Sequence, residues 1–327
     1  MLIQCMENLL MSKLNEIIIL TGPTGTGKTE VSIQIAQNIP EIEIISADSM
    51  QIYKDLDIGT AKPNRAILHK YNHHCIDLVE ASINFDVMQY TQYAQKSIEE
   101  ILSNNKKPLI VGGTGLYIKS FIKPIFEGPG RDEQIRSQLK ELAKKRGNSY
   151  LFSQLNKYDP EYSKKISPND TKRVIRAMEV YYLTGKPFSY FHQSVKHHST
   201  QSKYHYYILC LYRDRNKLYQ RINDRVEKMV NNGLIEETKK IIEQHEILNS
   251  NAMKGLGYKQ IISYLQGNIS REDAIERIKK ETRHFAKRQL SWFKNQVTVD
   301  YWFNLDDYSD TQHSIEKIIN IMKSKGY

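Results

Sequence analysis

Disulfide chemistry has almost nothing to work with in this sequence. Its only cysteines, Cys5, Cys75 and Cys210, lie far apart and form no Cys-x-x-Cys pair. That excludes a disulfide framework or a zinc finger and suits a reducing cytosol. No apolar run approaches the roughly 20 residues of a membrane span, so no transmembrane helix and no membrane-spanning role are expected. A secretory leader is excluded as well, because Gln4, Glu7 and Asn8 interrupt the opening residues. Met11-Ser12-Lys13 reads as the true start, which leaves residues 1–10 as an extension outside the fold. The histidines between His192 and His205 lack metal-ligand spacing and accompanying acids, and read as a solvated loop. Acidic residues are outnumbered, 37 against 47 Lys and Arg, for a net charge of +10 over 327 residues. The excess favours an anionic partner, nucleic acid or a membrane surface, although a low-GC genome inflates lysine in the same way. With 40% apolar and 26% charged residues, the chain can bury a large core and is expected to form one large domain and a smaller one.

What the sequence does have is an apolar run, Ile17-Ile18-Ile19-Leu20, that breaks into Thr21-Gly22-Pro23-Thr24-Gly25-Thr26-Gly27-Lys28-Thr29. Residues 22–29 match Gly-x-x-x-x-Gly-Lys-[Ser/Thr] between an expected buried strand at 17–20 and an expected helix at 30–38. Glycines let the backbone curl with its N–H groups inward, and a helix N-terminus adds its positive end, so phosphate oxygens can be bound with few side chains. Lys28 supplies a mobile cation, and the Thr29 hydroxyl is suited to hold Mg²⁺ on a diphosphate.

A second strand is expected at 43–46, leading into Asp48-Ser49-Met50-Gln51. Ligands of open α/β sheets bind beyond the carboxyl ends of strands, so Asp48 is expected in the same crevice; the competing role for it is a turn or N-cap residue. Residues 57–63 read only as loop. An amphipathic helix is expected over 86–104 and a third strand over 108–111, which runs into Gly112-Gly113-Thr114 without the acid that hydrolysing P-loop ATPases carry there. Gly128-Pro129-Gly130 marks a hinge, after which the chain reads as helical and rich in Lys, Arg and Tyr, including an Asp170-capped helix with Arg173 and Arg176 on one face. A strand at 206–212 resumes the core, followed by Arg213, Arg215, Arg221 and Arg225, for which plain surface arginines are the alternative. Residues 253–259 form a glycine-broken loop. A helix at 271–294 carries Arg277, Lys280, Arg283, His284, Lys287 and Arg288 against an inner face of Ile278, Phe285, Ala286 and Phe293, which reads as a nucleic-acid face. A last strand is expected at 297–303 and a closing helix at 315–322. The fold expected is an α/β P-loop core, a parallel sheet flanked by helices, with an inserted all-helical domain: core at 16–127 and 200–327, insertion at 128–199.

Gly22 to Thr29, Asp48-Ser49-Met50-Gln51, Asp57-Ile58-Gly59-Thr60-Ala61-Lys62-Pro63, Gly112-Gly113-Thr114 with Tyr117, Lys172-Arg173 through Arg176-Ala177, Gly257-Tyr258 and Ala286-Lys287-Arg288-Gln289 together resemble the bacterial tRNA dimethylallyltransferase family. The motifs fall in that family's order and cover nearly all of the chain from residue 17. Gly25-Thr26 stands where Ala-Ser is usual, a change the loop tolerates, and the C-terminal zinc finger of many eukaryotic relatives is missing. The resemblance implies transfer of a dimethylallyl group from dimethylallyl diphosphate to the exocyclic amine of adenosine 37, next to the anticodon of tRNAs reading codons that begin with U. It implies a cytoplasmic monomer with Mg²⁺ as cofactor and the tRNA anticodon stem-loop as partner. It further implies catalytic roles for Asp48 (proton acceptor, metal ligand or both), Thr114 and Arg225, and a diphosphate site of Gly22, Pro23, Thr24, Gly25, Thr26, Gly27, Lys28, Thr29 and Arg225, with Thr29 on the metal. Contacts to tRNA are implied for Asp48, Ser49, Met50, Gln51, Thr114, Arg136, Lys172, Arg173, Val174, Ile175, Arg176, Lys254, Lys259, Arg283, Lys287 and Arg288.

Two other readings share parts of this pattern. An isopentenyltransferase acting on free AMP would use the same loop and Asp48 but has little use for the basic helix or the insertion. A P-loop kinase or RNA-binding NTPase would be expected to carry an acid after the third strand.

Overall fold

The computed structural model describes residues 16–123, 128–191, 203–245, 248, 250–307 and 311–327; the expected extension at 1–10 and most of the histidine-rich loop, 192–202, lie outside them. The chain divides into two compact units, Met1–Ile122 with Lys203–Tyr327, and Lys123–Ser202.

The first unit is built on six parallel strands: β1 (Glu16–Thr21), β2 (Ile42–Ser46), β3 (His73–His74), β4 (Lys107–Gly112), β5 (His205–Tyr212) and β6 (Tyr301–Asn304), in the order β3-β2-β4-β1-β5-β6. The continuous apolar run of β1 follows from its central place, since a strand covered on both faces has no side to leave polar. Ile17 and Ile19 enter one core, with α3 (Val87–Ser103), α4 (Gly115–Ile122), α10 (Leu234–His245), α11 (Tyr258–Leu265) and α12 (Arg271–Gln296). Ile18 and Leu20 enter the other, with α1 (Lys28–Asn38) and α13 (Thr311–Ser324). The remaining helices of this unit are α2 (Arg65–Lys70) and α9 (Arg215–Asn231), the latter packed on α12. Tyr117 on α4 stacks on Tyr90 of α3 at 3.7 Å, and the Tyr90 hydroxyl donates to Ser46 O, pinning both helices to the end of β2.

Three expectations change. The strand at 108–111 is fourth in chain order, because His73–His74 pairs in parallel with Ile44 and Ile45 although two residues carry no periodic signal. The last strand begins at Tyr301, since Val297 caps α12 instead of starting β6. Phe285 is 36% exposed and lines the cavity described below, so it is not part of the inner face of α12.

The second unit is helical: α5 (Glu133–Arg146), α6 (Asn148–Tyr158), α7 (Pro160–Ser163) and α8 (Thr171–Thr184) close around Leu139, Leu151, Leu155, Val174, Met178 and Phe188. Asp132, Asp159 and Asp170 each accept a backbone N–H at a helix start, satisfying donors that the first turn leaves open.

Candidate active site

Strands β2, β4 and β1 are neighbours in the sheet, so the loops that leave their carboxyl ends, 47–51, 113–114 and 22–27, lie side by side. In the loop after β1, Gly22 has φ 141° and a Cβ there would stand 2.1 Å from Leu211 O, so only glycine fits. Four of the loop's carbonyls are held by side chains. Lys28 Nζ donates to Gly22 O and Pro23 O (2.8 and 2.9 Å), Thr26 Oγ1 to Pro23 O (2.8 Å), Arg221 Nε to Gly25 O (3.1 Å) and Arg213 Nε to Thr26 O (2.9 Å). The N–H groups of residues 25–27 donate to no protein acceptor among the described residues, which leaves them for an anion.

Burial brings the Lys28 ammonium down to a pKa of about 8, with Asp48 opposing the shift and Arg225 adding to it. Arg225 on α9 is, like Lys28, half-buried; desolvation lowers its pKa against the pull of Asp48, and it donates to Thr24 Oγ1 (3.2 Å). Two half-buried, partly desolvated cations held near one carboxylate suit a multiply charged anion.

Asp48 takes both of the roles weighed for it. Oδ1 accepts from Met50 N (2.8 Å) and Gln51 N (3.4 Å), which is the turn role, while Oδ2 makes no hydrogen bond among the described residues. Thr114 Oγ1 accepts from Ser49 N (3.0 Å) and faces Ser49 Oγ (3.3 Å), joining the β2 and β4 loops. Gln51 accepts from Ser46 Oγ (3.0 Å) and donates to Thr60 O (3.4 Å). Together these loops line a cavity of about 400 Å³ that Thr24, Lys28, Thr29, Asp48, Thr114 and Arg225 share with apolar Met50, Ile222, Val226, Met229, Ile278 and Phe285. Lys259 and Arg288 also line it; Lys259 pairs with Glu281. Lys254 and Lys287 are exposed and are not among its lining residues, and Arg283 donates to Asn223 Oδ1 (2.6 Å).

The second unit holds the other expected RNA contacts. Lys172 and Arg173 are exposed. Val174 and Ile175 are core residues, 1% and 7% exposed, because they occupy the apolar face of α8; their side chains are turned from solvent. Arg136 binds Glu179 in bidentate fashion (2.8 and 2.9 Å) and Arg176 adds a third bond (2.7 Å), so both arginines neutralise a fully buried carboxylate.

Four residues that local pattern did not assign to the site stand in it or against it. Gln289 on α12 accepts from Thr24 N (2.9 Å) and donates to Gly113 O (2.8 Å), bridging the loops after β1 and β4. Arg213 and Arg221 hold the phosphate loop, and Glu237 holds residues 57–59. The motif around Gln289 was the available signal; the arginines and Glu237 act across nearly 200 residues and gave none.

The sequence model for IPP transferases matches residues 51–296. A tRNA dimethylallyltransferase from a Thermoanaerobacter species is 43% identical over 315 residues, 95% of this chain and 98% of that protein. The crystal structure of tRNA isopentenylpyrophosphate transferase from Bacillus halodurans matches with a TM-score of 0.69 at 37% identity, covering 95% of this chain and 96% of its own. A eukaryotic dimethylallyltransferase acting on tRNA superposes with a TM-score of 0.75 at 28% identity, over 95% of this chain and 80% of its own. With the phosphate loop, the Asp48 turn and the basic helix all inside regions shared with these proteins, the chain belongs to the IPP transferase family.

Proposed function

We infer that this protein transfers the dimethylallyl group of dimethylallyl diphosphate to the exocyclic amine of the adenosine immediately 3′ of the anticodon, in tRNAs reading codons that begin with U. The observation that carries the reading is the convergence of two partly desolvated cations, Lys28 and Arg225, and a carboxylate with one open oxygen, Asp48, on one cavity with an apolar wall. The open amides of the phosphate loop, with Lys28 and Arg225, bind the diphosphate and neutralise it as the allylic C–O bond breaks and the electron pair leaves with the oxygen. By its position in the family motif, Thr114 meets the oxygen that bridges the diphosphate to the allyl carbon. The adenine amine is a poor nucleophile, because its lone pair is delocalised into the ring. It must lose a proton as the new C–N bond forms, and Asp48 Oδ2 accepts it. The base has to leave the loop stack to enter the cavity, where Ser49, Met50 and Gln51 line its way.

The donor set fits Mg²⁺. Among the described residues no three His, Cys, Asp or Glu side chains cluster, and a Mg²⁺ ion held through a diphosphate needs only one or two protein oxygens, here the hydroxyl of Thr29. When bound, the ion would add positive charge to the leaving group. The remaining cations supply tRNA contacts, Lys172 and Arg173 on α8 and Lys254, Lys259, Lys287 and Arg288 around α12, and the protein acts as a cytoplasmic monomer. The test is incubation of the protein with dimethylallyl diphosphate and unmodified tRNA, followed by mass spectrometry of the digested nucleosides. A dimethylallyl adduct on adenosine next to the anticodon is expected; modification of free AMP alone, or nucleotide hydrolysis with no adduct, would reject the reading.

A further inference from the structure

The loop at residues 57–63 contributes Gly59, Thr60, Ala61 and Pro63 to the cavity wall, and it has no regular structure of its own to hold it there. Its far end is held by Lys62, whose side chain is 2% exposed and which donates to Tyr53 O (3.0 Å) and pairs with Asp57 and Asp77 (2.6 Å), and its first three residues are held by α10. Glu237 Oε2 accepts from Asp57 N (2.9 Å) and Ile58 N (2.8 Å), and Oε1 accepts from Gly59 N (3.1 Å) and the Tyr258 hydroxyl (2.7 Å). Three successive amides converging on one anion form the kind of backbone nest that proteins use for phosphate or other external anions, and here the anion belongs to the chain itself. Tyr258 is fully buried; burial first, and then the Glu237 charge, push its phenol well above the ordinary range, so it stays a donor. Its ring lies against Gly59, where a Cβ would come within 2.5 Å of it. Ala61 sits at φ 50°, a left-handed conformation that a non-glycine residue keeps only when its surroundings over-determine it.

The loop's reach is one-sided. Thr60 O accepts from Gln51 Nε2, and Gln51 Oε1 accepts from Ser46 Oγ, so the chain of contacts runs from Glu237 to the 48–51 turn that carries Asp48. Residues 57–63 make no hydrogen bond to the phosphate loop at 22–29 among the described residues.

We infer that Glu237 is a positioning residue for the acceptor side of the transfer: its carboxylate is a built-in anion seated in the nest of residues 57–59, and through it the cavity wall and the 48–51 turn are held for the incoming base. The inference rests on the reading of the cavity as a dimethylallyl transfer site.

Glu237→Ala in the full-length protein tests it, because the nest and Tyr258 then surround an empty seat of carboxylate size. The KM for tRNA should rise about tenfold, while affinity for dimethylallyl diphosphate measured without tRNA stays within about twofold. Sodium formate at millimolar to tens-of-millimolar levels should restore several-fold of the lost activity, compared with sodium chloride at the same ionic strength. Formate should leave the native protein unaffected. Tyr258→Phe should show the same split in smaller form, about threefold. Equal losses for both substrates, or rescue by formate no better than by chloride, would overturn the inference. If Glu237→Ala does not fold, the substrate split in Tyr258→Phe decides. If the native protein fails to modify tRNA, the functional reading falls on its own; a formate-dependent rise in the Tm of Glu237→Ala, which needs no turnover, still tests the seat, and its absence would overturn it.

Discussion

Asp48 and Lys28 lie in one cavity, and the structure separates what each loses when altered. Asn at position 48 keeps an Oδ1 that can still accept from Met50 N, so the turn survives Asp48→Asn and only charge and basicity are removed. As the proton acceptor, Asp48→Asn should lower kcat by roughly 10²–10⁴-fold with little change in affinity for either substrate. Single-turnover rates across a Mg²⁺ series check this, since a rate restored by metal alone would make Asp48 a ligand instead. Lys28 gives a pH signature. Its pKa of about 8 in the free protein means that it loses its proton above that pH, whereas a bound diphosphate favours the charged form and raises the value. Binding therefore takes up a proton above pH 8, and affinity for dimethylallyl diphosphate should fall by up to about tenfold per pH unit there. Calorimetric titration between neutral and mildly alkaline pH should find this slope in the native protein and not in Lys28→Ala. A flat native profile would mean that Lys28 does not meet the anion.

The helices do more to shape the phosphate loop than its own glycines do. Arg213, just before α9, and Arg221 on it hold the carbonyls of Thr26 and Gly25, while Gln289 on α12 ties Thr24 N to Gly113 O. Gln289→Leu would leave that N–H and that C=O without partners in a buried site, at a cost of about 1–3 kcal/mol for each. Urea unfolding should therefore show a loss of about 2–6 kcal/mol, with no change in m; an unchanged midpoint would mean that the bridge does not form in solution. The same residues mark the limit of what the sequence discloses. The phosphate loop, the central strands and the long amphipathic helices are legible because each is coded within ten or twenty consecutive residues, as hydrophobic period or glycine spacing. His73–His74 is too short to have a period, and residues 57–63 have none. The order of residues 57–59 comes from Glu237, some 180 residues away, and no local pattern can report a bond of that span. Arg221 looks in sequence like any surface arginine, and its role depends on where α9 lands beside the loop after β1.

Charge is the property that the whole chain brings to tRNA, and the structure divides its cations into those that are spare and those that are spent. Lys172, Arg277, Lys280, Lys287 and Arg288 are exposed, whereas exposed Arg173 pairs with Asp170 (3.4 Å) and Arg136 and Arg176 are committed to Glu179, which is fully buried. The logarithm of tRNA affinity should fall steeply with the logarithm of salt concentration, because each cation that meets a phosphate releases counterions. Removing Arg288, Lys287 or Lys172 should flatten that slope by about one unit each, while Arg173, paired with Asp170, and Arg283, tied to Asn223 Oδ1, should contribute less. Arg136→Ala should behave differently from all of them. Glu179 keeps Arg176 and the Asp132 N–H but loses its bidentate partner, so the cost stays below the about 3–5 kcal/mol of a buried carboxylate left with no partner. The expected result is a second unit that melts early in differential scanning calorimetry, with weakened tRNA binding at every salt concentration and an unchanged salt slope. Arg136→Lys, which keeps the charge but not the planar fork, should recover only part of that stability. If Arg136→Ala instead flattened the slope and left the melting profile intact, the guanidinium would be facing phosphate and not Glu179.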